Sequence, residues 1–106
     1  MAKQSRKYPV ILEMAVLDVR PGEGENFQRD FAGAQKIISS MPGYVEHELQ
    51  HCVEDTNRYI LLVRWETLED HTIGFRESPQ YLEWKKILHH YYDPFPVVQH
   101  YEPVIF

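Results

Sequence analysis

Residues 58–65 read RYILLVRW, a strand-like run in which four apolar residues, Ile60, Leu61, Leu62 and Val63, follow one another without a polar break. Successive side chains of a strand point to opposite faces, so such a run is apolar on both. A strand with one solvated face would alternate instead. This one has to be covered from both sides. Residues 8–19, YPVILEMAVLDV, have the same character and stop at Arg20-Pro21-Gly22. Two doubly covered strands set the frame for everything between and around them.

Working outward, residues 22–41 change period. Phe27, Phe31, Ala34, Ile38 and Met41 recur at helical spacing with Ile37 beside them, and Pro42-Gly43 ends the helix. Residues 44–53 alternate, with Val45, His47, Leu49, His51 and Val53 on one face and Tyr44, Glu46, Glu48, Gln50 and Cys52 on the other. The turn Glu54-Asp55-Thr56-Asn57 then makes a hairpin with RYILLVRW. Thr67 followed by Asp70 resembles a capping box, with Leu68, His71, Thr72 and Phe75 on one face of the turn it opens. Ser78-Pro79 restarts a helix whose stripe is Tyr81, Trp84, Leu88 and Tyr91. Asp93-Pro94 stops it, and residues 97–101 form a last short strand.

The order β-α-β-β-α-β predicts an α+β fold of ferredoxin-like split βαβ type, a four-stranded antiparallel sheet with two helical regions on one face. The second apolar face of the sheet then needs cover from outside the chain. The simplest cover is a second copy, so a homodimer through sheet faces is expected.

The 106 residues suit one domain over residues 8–103, after a basic leader (1–7) and before a short tail (104–106). A net charge of −5, with no basic cluster beyond the leader, argues against nucleic acid as a partner. No apolar run approaches the roughly 20 residues of a membrane span. Cys52 is the only cysteine, which excludes an internal disulfide and fits a reducing, cytoplasmic setting. No GxSxG, P-loop or GxGxxG stretch is present, so hydrolase and nucleotide readings lack support.

Taken in order, several short marks resemble the antibiotic biosynthesis monooxygenase family of dimeric α+β barrels. They are Arg20-Pro21-Gly22 after the first strand, Met41-Pro42-Gly43-Tyr44, Glu48-Leu49, Glu54-Asp55, Arg64-Trp65-Glu66-Thr67-Leu68-Glu69 and Ser78-Pro79-Gln80-Tyr81. The resemblance implies a dimer with face-to-face sheets and a ligand cavity in each subunit between sheet and helices. Some members oxygenate aromatic polyketides or quinols without metal or flavin, so no cofactor is expected, and the partner implied is a hydrophobic aromatic small molecule. Haem-degrading members carry an asparagine, a tryptophan and a histidine where this chain has Ala15, Phe75 and Lys85 in ungapped register. The resemblance therefore does not extend to haem degradation. Quinol-oxygenase-like members have a glutamate and a histidine where this chain has Val63 and Phe75, although His71 lies one helical turn before Phe75 on the same face.

His71 is the candidate catalytic residue. It reads either as a core histidine hydrogen-bonded to backbone or as a general base that takes a phenolic or enolic proton, after which the anion reacts with dioxygen. Trp65 and Tyr59 share a strand face and suit a flat ligand. Phe75, Trp84 and Tyr92 can border the same cleft, as can His47, His51 and His89. Glu13 is an acid inside an apolar run, either paired across the dimer or a second proton acceptor in the cavity. No metal site is expected: His47 and His51 are about 13 Å apart along a strand, and the adjacent His89 and His90 diverge on a helix. A non-catalytic binding or stress-related barrel, or an isomerase or decarboxylase using the same pocket, are the alternatives.

Overall fold

The two apolar strands pair with each other. In this computed structural model, which describes residues 10–106, β1 (Ile11–Asp18) runs antiparallel to β3 (Arg58–Trp65), from Ile11 opposite Trp65 to Asp18 opposite Arg58. The leader and the first two residues assigned to the domain lie outside the described residues. The helix α1 (Gly24–Ser39) separates β1 from β2 (Tyr44–His51), and α2 (Pro79–Leu88) precedes β4 (Val98–Tyr101). All strands are antiparallel, in the order β2-β3-β1-β4. The split βαβ expectation is met.

The pleat divides the central strands as their sequence demands. Glu13, Ala15, Leu17, Tyr59, Leu61, Val63 and Trp65 are buried on the helix-covered side. There they meet Phe27, Phe31, Ala34 and Ile38 of α1 and Trp84 and Leu88 of α2. Phe27 is fully inaccessible and lies against Phe31, Tyr59, Tyr91 and Tyr92 at ring separations of 5.0–5.9 Å. Truncating such a residue to alanine costs about 3–5 kcal/mol. On the opposite face, Leu12, Met14, Val16, Ile60 and Leu62 stay half-exposed, with no helix or strand of the described residues across them.

The segment between β3 and α2 is wound more widely than an α-helix. Asp70–Phe75 forms a π-helical turn, in which the Arg76 amide reaches the His71 carbonyl at 3.1 Å. Its start is held by the capping box. The Thr67 amide donates to Asp70 Oδ2 and the Asp70 amide to Thr67 Oγ1, each at 3.1 Å. Asp therefore serves where Glu or Gln is usual. Ser78 caps α2 by accepting from the Tyr81 amide at 3.1 Å, with Pro79 at the first helical position.

Three details depart from the periodicity reading. An extra residue at Val45 makes a β-bulge between Tyr44 and Glu46, which turns Tyr44 to the core side with His47 rather than to the face of Glu46. The strand stops at His51, leaving Val53 88% exposed. Leu68 is 38% exposed while His71 and Phe75 are buried, because the wide turn does not keep α-helical register.

Candidate functional site

Antiparallel register places the site. Glu13 on β1 stands opposite His100 on β4, and Trp65 closes β3 on the same side of the sheet. The π turn then lowers His71 onto this group. Trp65 Nε1 donates to Glu13 Oε1 at 2.9 Å, His71 Nε2 lies 3.3 Å from the same oxygen, and His71 Nδ1 lies 2.8 Å from His100 Nε2. The indole of Trp65 stacks on the His71 ring at 5.5 Å and 21°. His71 spends opposite ring nitrogens on its two neighbours. The three residues thus form a chain and do not converge on one point as metal ligands must.

Burial moves both central groups toward neutrality. Desolvation pushes the Glu13 carboxyl up to about 7, against the stabilising Trp65 hydrogen bond and the Arg76 charge. Desolvation also holds His71 down to about 3, helped by the positive Arg76 and by His100. At neutral pH the imidazole is uncharged and the carboxyl is poised between its two forms.

Glu13 and His71 open onto a cavity of about 420 Å³ between sheet and helices. Phe75, Trp84 and Tyr92 give it aromatic walls, Ala15 and Leu61 form its floor, and Arg76 is its one cationic side chain among the described residues. His89 also lines it. Its Nδ1 is buried and has no hydrogen-bond partner among the described residues. Burial lowers the pKa of that imidazole, so it is held neutral.

Of the residues picked from sequence, His71, Phe75, Trp84, Tyr92 and His89 share this cavity. Trp65 is fully buried behind it and touches the site through Glu13 and His71. Tyr59, His47 and His51 are elsewhere, in a more open hollow of about 450 Å³ between α1 and the β2–β3 hairpin. There His51 stacks on Tyr59 at 4.2 Å, and His47 bonds Tyr44 Oη at 2.5 Å and Gln35 Oε1 at 2.9 Å. The shared strand face of Trp65 and Tyr59 therefore does not mean a shared ligand site. Glu13 faces the cavity and not the open sheet face, which removes the option of pairing across a dimer. His100 escaped sequence reading because it sits in a four-residue strand whose register no local pattern reports. Arg76 escaped because an exposed arginine beside a turn looks like a solvated charge.

Residues 10–87 match the family model described as antibiotic biosynthesis monooxygenase. The chain belongs to this family. The monooxygenase-family fold is repeated in a structure from Bordetella bronchiseptica assigned by name to the antibiotic biosynthesis monooxygenases. It is 31% identical, with a TM-score of 0.87, covering 92% of this chain and 99% of that one. YczJ of Bacillus subtilis (strain 168), described as uncharacterized, is 50% identical over 95 residues, 90% of this chain and 100% of YczJ. SnoaB of Streptomyces nogalater, described as a cofactor-independent oxygenase, superposes with a TM-score of 0.66 at 19% identity, over 92% of this chain and 94% of SnoaB. At that identity the likeness is one of fold.

Proposed function

We propose that the protein is a small-molecule monooxygenase that oxidises an aromatic, quinol or polyketide-type substrate without metal or flavin. The observation that carries this reading is the buried Glu13 carboxyl, hydrogen-bonded by Trp65 and opening onto an aromatic-walled cavity. Family membership and the printed description of SnoaB support it. His71, expected as the base, has Nδ1 hydrogen-bonded to His100 and Nε2 turned to Glu13 Oε1 at 3.3 Å. The proton acceptor is therefore Glu13, with its second oxygen available to a ligand, and His71 holds it in place.

In this scheme Phe75, Trp84 and Tyr92 sandwich the flat substrate and exclude water, and His89 Nδ1 takes a hydrogen bond from one of its hydroxyls. Glu13 removes an acidic proton, leaving a delocalised carbanion. Dioxygen adds to that carbon to give a peroxide anion, which recovers a proton from Glu13. Glu13 then takes the second C–H proton as hydroxide leaves, so that CH₂ and O₂ become C=O and H₂O once that proton has passed from Glu13 to solvent. The chain's own residues supply only positioning and proton transfer.

Oxygen uptake with a panel of hydroxyanthrones and quinols tests the reading. Uptake matched by quinone formation, lost in Glu13→Gln, is the expected result. Turnover without oxygen consumption would show an isomerase or decarboxylase, and binding without turnover a ligand-binding barrel.

The half-exposed row Leu12, Met14, Val16, Ile60 and Leu62 supports a homodimer through sheet faces. Among the described residues no helix is long and apolar enough to cross a membrane. The single free cysteine supports a cytoplasmic site of action.

A further inference from the structure

We infer that Glu13 is loaded and unloaded with its proton through His71 and His100, a two-imidazole relay that runs from the cavity to β4 and bypasses the substrate space. This deepens the proposed function and rests on Glu13 being the acid–base group of the site.

The heavy-atom geometry admits two proton arrangements. With Glu13 ionised, Trp65 Nε1–H donates to Oε1, His71 Nε2–H faces the same oxygen across a 3.3 Å contact, and His100 Nε2–H donates to His71 Nδ1. With Glu13 protonated on Oε1, the two histidine contacts reverse while Trp65 Nε1–H still donates to Oε1. Oε1–H donates to His71 Nε2, His71 Nδ1–H donates to His100 Nε2, and His100 Nδ1 carries a proton. The two patterns differ by one proton, and the added donor, His100 Nδ1–H, belongs to the half-buried ring at the end of the chain, where water can accept from it. Moving from the first to the second takes one proton in at His100 Nδ1, passes the His100 Nε2 proton to His71 Nδ1, and passes the His71 Nε2 proton to Glu13. Neither imidazole becomes a cation at rest, which agrees with their burial beside Arg76.

Placement gives the relay its use. Glu13 and His71 are 5% and 3% accessible, whereas His100 on the edge strand β4 is only half-buried. A flat ligand in the cavity would cut Glu13 off from water on that side. His100 remains a route to solvent behind it. His100 is therefore a positioning and relay residue, not one that touches substrate. The other titratable or charged side chains facing the cavity are Arg76 at the end of the π turn, Tyr81 of α2, His89 after it, and Tyr92. None of them bridges Glu13 to the surface.

Ring-¹⁵N spectra of the ligand-free protein across pH 5–9 test this without any substrate. The expected result is that His71 and His100 exchange protonated and unprotonated ring nitrogens together, at one midpoint shared with the Glu13 carboxyl. Glu13→Gln should freeze both tautomers. Independent titration of either ring to imidazolium, or an unchanged exchange in Glu13→Gln, would overturn the relay. A second variant, His100→Asn, should leave a first-turnover burst intact while steady-state kcat falls on the order of a hundredfold, the low end for a positioned proton-transfer group. Added imidazole should restore part of it, and an undiminished kcat would count against the relay. Failure of oxygen uptake alone would leave the ring-nitrogen result standing, so the two proposals fail separately.

Discussion

Glu13 and His100 are cross-strand partners on β1 and β4, and His71 bridges them from the π turn above, 3.3 Å from one and 2.8 Å from the other. A buried acid tied to a surface strand in this way has consequences for stability, for pH dependence and for the tolerance of the turns that hold it.

Glu13 should make the protein less stable as pH rises. Its carboxyl titrates at 4.5 when unfolded and at about 7 when folded. Below pH 4.5 both states hold the proton. Between the two values the folded state holds more, so stability falls by about 1.4 kcal/mol per pH unit, roughly 3 kcal/mol in all, and then levels off. His71 works the other way: with its folded value near 3, its contribution is present above 6.5 and lost on acidification. The two oppose each other between 4.5 and 6.5. Urea denaturation of Glu13→Gln against the native chain isolates the first effect, and the variant's advantage should grow by roughly 3 kcal/mol from pH 4.5 to 7.5.

Removing the positive charge of Arg76 should make Glu13 a weaker acid. The guanidinium favours the ionised carboxyl and disfavours protonated His71 and His100. In Arg76→Met the acid limb of the oxygen-uptake profile is expected to move to higher pH, by up to about one unit. A limb that stays in place would mean that another group governs it.

Gly43 cannot be replaced cheaply. Its φ is +82°, and an added Cβ would clash with the Asp70 carboxylate, inside the box that starts the π turn. Backbone strain and a broken cap together make Gly43→Ala cost about 2–3 kcal/mol. In Gly43→Ala/Asp70→Ala the clash is gone while the strain remains, so the double variant should lose less than the sum of the single ones. Urea midpoints of the three variants check this.

A charge on the open sheet face should dissociate the proposed dimer. Leu62→Glu and Met14→Lys lie on the half-exposed side of β3 and β1, away from the cavity. Sedimentation velocity at micromolar concentration should show a dimer for the native chain and a monomer for either variant, with unchanged far-ultraviolet dichroism.

By itself the sequence determined the elements, their order and the need to cover both faces of the two central strands. Apolar runs such as RYILLVRW, helical stripes such as Phe27, Phe31, Ala34 and Ile38, and stops at Pro and Gly are local signals that report local structure. It also carried His71 and most of the aromatic cavity wall, because inward residues recur at the period of their own element. The bulge at Val45 and the wide winding over Asp70–Phe75 were not legible, since each shifts register without leaving a compositional mark. The tertiary structure alone decided that Glu13 turns inward, that His100 stands beside it, and that Tyr59 and His51 belong to another hollow. Those facts depend on which strands pair and in what register, on contacts between residues as far apart as 13 and 100. Periodicity says which residues of a strand share a face, and only pairing and packing say what that face is buried with.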